Sequence, residues 1–185
     1  MKKSLYITGL ILPVLVAGLI VGVVYLRGDN ASAIRDAATR LGVEVSSPPV
    51  VAKDFTLPDP HGKRISLRDF RGKTVMLNFW ATWCGPCKEE MPSMEKLYQQ
   101  FKGRGLVVLG VAVGEDSREV EAFMRDHRLT FATLIDGDDE ATDAYNVWSI
   151  PMTFFINPEG RIVGKIHGYR LWDREEAVSY VSELL

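Results

Sequence analysis

Cysteine is scarce in this chain: two of 185 residues, Cys84 and Cys87. Thiols so close together cannot staple distant segments, so the disulfide framework of a small secreted scaffold is excluded. Structural zinc needs four ligands, and catalytic zinc three plus water. Against that stand two cysteines and three scattered histidines, His61, His127 and His167, with no ligand-spaced pair. Haem attachment through C-x-x-C-H fails because Lys88 follows the second cysteine. Charge of one sign is lacking too. Lys and Arg number 22 against 24 Asp and Glu, for a net charge of −2, and no basic cluster marks a nucleic-acid footprint. Internal repeats and low-complexity stretches are absent, and 46% hydrophobic with 25% charged residues describes a folding chain, not a disordered one.

What the chain does have begins with "LYITGLILPVLVAGLIVGVVYL", Leu5 to Leu26, without a charged residue. As a helix this run would rise roughly 33 Å, against about 30 Å of bilayer hydrocarbon. Pro13 and the glycines within it are tolerable in a membrane helix. Lys2 and Lys3 precede it and only Arg27 closes it, so residues 1–27 read as a cytoplasmic tip and signal-anchor with the rest outside. A cleaved signal peptide is the competing reading, on the "ASA" at Ala31–Ala33. Both readings export the domain. No cysteine follows the run, which excludes a lipoprotein anchor.

Residues 28–50 are polar and alanine-rich and read as a linker. Ala33, Ile34, Ala37, Ala38 and Leu41 recur at the spacing of a short weak helix. Ser46-Ser47-Pro48-Pro49 reads as a stiff spacer. The domain is placed at 51–185. Within it, Phe55–Leu57 and Ile65–Leu67 flank a turn as a hairpin. Thr74–Ala81 and Leu106–Val113 are apolar runs expected of strands buried on both faces. Met91, Met94, Leu97, Tyr98 and Phe101 form one helix face; Val120, Phe123 and Met124 form another. "FATLID" predicts a strand, Glu140–Tyr145 a short helix, and "MTFFIN" with "RIVGKIHG" a hairpin around Pro158-Glu159-Gly160. A last helix is expected from about Trp172. The class is a layered α/β domain.

The cysteine pair has several readings. A structural disulfide closing so short a loop returns only about 2 kcal/mol, and closely spaced pairs tend to be strained and reducible. A copper site completed by a distant histidine stays open. A peroxidase of the Pro-x-x-x-Thr-x-x-Cys type fails, because Leu77 and Ala81 occupy the two positions. The dithiol-redox reading fits best. A strand ends at Ala81 and a helix begins around the pair, so Cys84 sits where free N–H groups and the helix dipole favour a thiolate. Gly85 and Pro86 form the bridge, and Pro86 suits a first helical turn. Cys87, one turn further in, stays a shielded thiol. One sulfur attacks and the other resolves.

"FWATWCGPC" resembles the thioredoxin active-site motif, and the apolar N-terminus with the "DFTL…GK…L" lead-in resembles the extracytoplasmic TlpA/ResA/CcmG-type branch of the AhpC/TSA-redoxin superfamily. The likeness covers roughly 51–185. It implies a thioredoxin-like α/β fold, a central mixed sheet of four or five strands flanked by helices, here with an N-terminal hairpin extension and one transmembrane helix. It also implies a protein-disulfide reductase that acts on exported proteins, apocytochrome c among them, without cofactor or metal. Electrons would come from a membrane thiol donor of the CcdA/DsbD type.

By the same resemblance, Pro151 in "SIPMTFF" matches a cis-proline whose loop, with Ile150, lies beside the cysteines and pairs with substrate; an ordinary trans proline opening a strand is the alternative. Trp83 is expected at the contact surface and Trp80 in the core. Pro92 matches a family proline and should kink its helix by removing the bond to the Lys88 carbonyl. Asn78 departs from thioredoxins, which carry a buried aspartate there to handle the resolving thiol's proton. Glu90, three residues after Cys87 on its helix face, matches an active-site glutamate of the ResA-like branch and would take over that role; a solvated charge like Glu89 is the alternative. The same cysteines would serve an oxidase or isomerase. Gly85-Pro86 adds no cation beside the thiolate, which puts the expected potential nearer the ~−270 mV of thioredoxin than the ~−120 mV of DsbA.

Overall fold

The computed structural model describes residues 32–185. The apolar run at 5–26 lies outside the described residues, and among those described no helix is long and apolar enough to cross a membrane. The central sheet is organised around β4 (Thr74–Trp80), every residue of which is buried. It pairs in parallel with β5 (Leu106–Val113), which pairs in parallel with β6 (Ala132–Asp136). On the other side, β7 (Met152–Ile156) and β8 (Arg161–His167) continue the sheet antiparallel. A further strand, β1 (Glu44–Val51), lies at the edge, for the order β1-β8-β7-β4-β5-β6. The sheet is thus mixed, with six strands instead of the four or five expected.

Period-two alternation along β4 assigns its side chains to two layers. Val75, Leu77 and Phe79 meet Phe55, Leu57, Leu67 and Tyr145 on one face. That layer is closed by the hairpin of β2 (Thr56–Pro58) and β3 (Arg64–Ser66), and by the short helix α4 (Glu140–Ala144). Met76 and Trp80 point to the other face, toward α2 (Gly85–Phe101), α3 (Ser117–Asp126) and α5 (Glu175–Glu183). Asn78 lies between them in the same series, so the one polar residue of the strand interior is aimed at α2. The final helix starts at Glu175, not near Trp172. Trp172 is instead fully buried, its backbone N–H donating to Ser93 Oγ at 3.0 Å.

The largest difference from the sequence reading is at residues 32–51. A helix, α1 (32–41), forms where the weak periodicity lay, and Ala37, Ala38, Leu41 and Val43 enter the same core as α2 and α5. Ser46–Pro49 is no spacer: it lies within β1, which pairs with β8 at Glu44, Val45, Val50 and Val51 around an irregularity that takes up both prolines. The Ser47–Pro48 peptide is cis. Prolines are tolerated there because an edge strand has one side on which no ladder partner needs an N–H. The described domain therefore extends to residue 32.

Gly110 in β5 allows the closest approach in the sheet. A Cβ there would stand 2.8 Å from Thr133 Oγ1 and 2.9 Å from Trp80 Nε1. Neither neighbour is free to retreat, since both belong to adjacent buried strands. Gly110→Ala is expected to destabilise the domain by about 1–3 kcal/mol through overpacking, read as a lower urea midpoint with unchanged slope.

Candidate active site

The strand β4 delivers the chain to the site, and a tight turn hands it to α2: Cys84 N–H donates to Ala81 O at 3.2 Å. Cys84 is the N-cap residue of α2, with Gly85 and Pro86 in the first turn. Its sulfur accepts the backbone N–H of Cys87 at 3.3 Å. That is the work of an N-cap oxygen done by sulfur, and it favours negative charge on Cys84 Sγ. The two cysteines are joined as a disulfide. Cys84 is 6% exposed and Cys87 not at all. The inequality expected from helix position is present, but the opening on Cys84 is narrower than the sequence suggested. Part of the reason is the loop before β7, where the Ile150 carbonyl oxygen lies 3.9 Å from Cys84 Sγ. The Ile150–Pro151 peptide is cis, and Pro151 is buried beside the partly exposed Ile150.

Two indoles border this opening in sequence. Trp83, next to Cys84, is 66% exposed, and Trp148, two residues before Ile150, is 79% exposed and stacked on His167 with ring centroids 5.4 Å apart. Trp80, by contrast, is wholly in the core. Helix α2 runs unbroken through Pro92. Both Pro92 and Lys88 lie on its exposed face, where water can meet the carbonyl the proline leaves unbonded. Among the described residues no three His, Cys, Asp or Glu side chains converge as metal ligands would.

Glu90, three residues after Cys87 in α2, is fully buried, unlike exposed Glu89. Each carboxylate oxygen has one donor: Asn78 Nδ2 reaches Oε1 at 2.9 Å, and the Arg170 backbone N–H reaches Oε2 at 3.1 Å. Asn78 Nδ2 also donates to Thr153 Oγ1 at 3.0 Å, its register partner on β7. Burial pushes the Glu90 carboxyl up to about 7; the Arg170 backbone N–H, the Asn78 amide, the nearby Trp172 indole and, least of these, the Arg170 charge hold it from rising further. A second buried carboxyl, Glu115 in the loop after β5, accepts from the Thr82 backbone N–H at 2.9 Å and from the Thr82 hydroxyl, fixing the turn that presents Cys84.

The structure thus brings together Cys84, Cys87, Ile150 and Pro151, with Glu90 buried three residues after Cys87 in α2. Thr82, Glu115, Thr153 and Arg170 were not singled out from sequence. Glu115 looks like one more charge of an acidic loop, and Arg170 follows Glu90 by 80 positions. Only the odd Asn78 in an apolar strand hinted that polar partners lay opposite.

A model described as the AhpC/TSA family matches residues 50–165. The thiol-disulfide oxidoreductase ResA of Bacillus subtilis (strain 168) is 46% identical over 117 residues, 63% of this chain and 65% of that protein, just under two thirds of its length. ResA of Bacillus thuringiensis subsp. konkukian (strain 97-27) is 35% identical over 133 residues, 72% of this chain and 76% of its own. Among solved structures, a thiol:disulfide interchange protein of the thioredoxin family from Chlorobium tepidum TLS superposes with a TM-score of 0.65 at 28% identity, over 73% of this chain and 97% of that one. The fold is thioredoxin-like.

A carboxyl that keeps its proton to about pH 7 in the fold but releases it near 4.5 when unfolded gives a signed pH effect. Its contribution is fully present below pH 4.5, declines as pH rises toward 7, and is level above. Comparing urea unfolding of the oxidised protein with that of Glu90→Gln at pH 5 and pH 8 should show the variant gaining on the wild type at the higher pH. The gain is on the order of 2–3 kcal/mol.

Proposed function

The chain belongs to the AhpC/TSA family, among its ResA-type thiol-disulfide oxidoreductases, and from that premise we propose that it reduces disulfides in exported proteins, apocytochrome c being one example. One observation carries the reading. A sulfur that caps a helix and keeps a narrow opening to solvent is joined to a fully enclosed one, with a carboxyl pushed up to about 7 on the same helix face.

The reaction starts from the dithiol. The Cys84 thiolate, favoured by the Cys87 N–H and the start of α2, attacks one sulfur of the substrate bridge. A mixed disulfide forms and one substrate thiolate leaves. The Cys87 thiol passes its proton to the Glu90 carboxylate, and the resulting thiolate attacks Cys84 Sγ. The Cys84–Cys87 bond closes, the second substrate thiolate leaves, and two electrons have moved to the substrate. Glu90 suits this task because an acceptor titrating near 7 is part ionised at neutral pH and close to a thiol's ~8.5. Asparagine at position 78 cannot take the proton, but it holds the group that does. The cis-Pro151 loop offers backbone beside Cys84, and Trp83 with Ile150 supplies apolar contact for the substrate segment.

The uncharged run at 5–26 supports a signal-anchor holding the domain outside the cytoplasm. A reductant placed there needs electrons carried across the membrane, so a membrane thiol donor is the partner this reading requires.

Equilibration with glutathione or dithiothreitol buffers should give a potential near −270 mV, within about 50 mV; a value above about −150 mV would make the protein an oxidase. Cys87→Ala should accumulate mixed disulfides with exported proteins in cells. Rapid-mixing kinetics of the resolving step should rise with pH through a midpoint near 7 in the wild type and lose that rise in Glu90→Gln. An unchanged profile in the variant would return Glu90 to a purely structural role.

A further inference from the structure

The loop between β8 and α5 ties the buried carboxyl to the far N-terminal helix through a single residue. Arg170 donates its backbone N–H to Glu90 Oε2 at 3.1 Å, while its side-chain Nε donates to the Leu41 carbonyl at 3.1 Å and Nη1 to its own neighbour's carbonyl, Tyr169 O, at 2.8 Å. Leu41 ends α1, where the last carbonyls lack intrahelical partners and the dipole attracts a cation. Gly42 follows with a φ of 79°, and a Cβ placed on it would stand 3.2 Å from Arg170 Nη2. The guanidinium is therefore seated against the C-terminal turn of α1. Leu41 itself is anchored in the core by burial, so the seat is rigid.

We propose that Arg170 is a positioning residue for the proton acceptor Glu90, and that the end of α1 fixes where its charge sits. The helix leading from residues 1–31 into the domain thereby becomes part of the redox site. The inference rests on Glu90 being the acceptor. Among the described residues, the other surroundings of Glu90, the neutral Trp172 indole included, bring no second cation. Its own helix brings Cys87, while its neighbours Lys88 and Glu89 point to solvent. β4 and β7 bring only the neutral Asn78 and Thr153. The loop brings Arg170, whose positive charge favours the ionised carboxyl against the burial that opposes it. Its backbone bond holds the carboxyl in place and favours its ionised form most; its side chain, held by Leu41, adds a smaller electrostatic bias in the same direction.

The test uses the full chain and reads the pH profile of the resolving step, with carbon-13 NMR titration of the Glu90 carboxyl in the oxidised protein as a second readout. Arg170→Met keeps the backbone donor and removes the charge. Its midpoint should move up by about half a unit to one unit, so that well below the midpoint the step is about three- to tenfold slower. Arg170→Lys, which keeps a cation, should move less than half as far. A merely structural residue would lower thermal stability in both variants and leave the midpoint alone. If Arg170→Met does not fold, Arg170→Gln takes its place with the same two outcomes. Midpoints unchanged on loss of the charge, with Glu90→Gln flat, overturn the role of Arg170 and leave Glu90 standing. A Glu90→Gln profile like that of the wild type overturns the acceptor reading first.

Discussion

The site is organised by the cost of enclosing one carboxyl group. Glu90 is shut off from water and would be expelled or permanently protonated if its oxygens were left bare. One donor on each oxygen, from Asn78 on β4 and from the backbone of Arg170, offsets part of that cost and leaves the group titrating near neutrality. Meeting the requirement draws four elements together. Asn78 is braced by Thr153 across the sheet, the loop carrying Arg170 is pinned to α2 through Trp172 and Ser93, and α2 carries both Glu90 and Cys87. The proton acceptor and the resolving sulfur thus share one rigid body.

The attacking sulfur is placed by separate means. It stands where β4 ends and α2 begins, under a helix N-terminus and against the carbonyl of Ile150. Thr82, held by Glu115, sets the turn just before it. Electrostatic favour and steric access therefore come from different residues. The first derives from α2 and its free N–H groups, the second from two loops carrying the exposed indoles of Trp83 and Trp148. Loops can change contact surface without disturbing the sulfur chemistry, whereas little in the Asn78–Glu90–Arg170 cluster can change alone.

The N-terminal segment shows how edge position rewrites local preference. Two adjacent prolines following two serines resemble a spacer, yet the segment adds a strand to the sheet and sends α1 into the core. It can do so because β8 would otherwise present an unpaired edge, and because an irregularity absorbs the residues that cannot donate. The consequence reaches the chemistry, since Arg170 is seated on the carbonyl of Leu41.

The sequence by itself determined most of the elements, β1 excepted, and the reactive pair. Period-two and helical spacings are local properties, and a Cys-Gly-Pro-Cys run after an apolar strand carries its chemistry within four residues. The helix face shared by Cys87 and Glu90 was legible for the same reason, being a matter of three residues' spacing. Tertiary structure alone decided whether Glu90 would be a surface charge like Glu89 or a buried acid, because that depends on what packs over it. Asn78, Thr153 and Arg170 come from positions up to 92 residues apart (78 to 170) and meet only when β4, β7 and the last loop close around α2. Burial and hydrogen bonding tune an ionisable group, and both are properties of neighbours in space that spacing along the chain does not reveal.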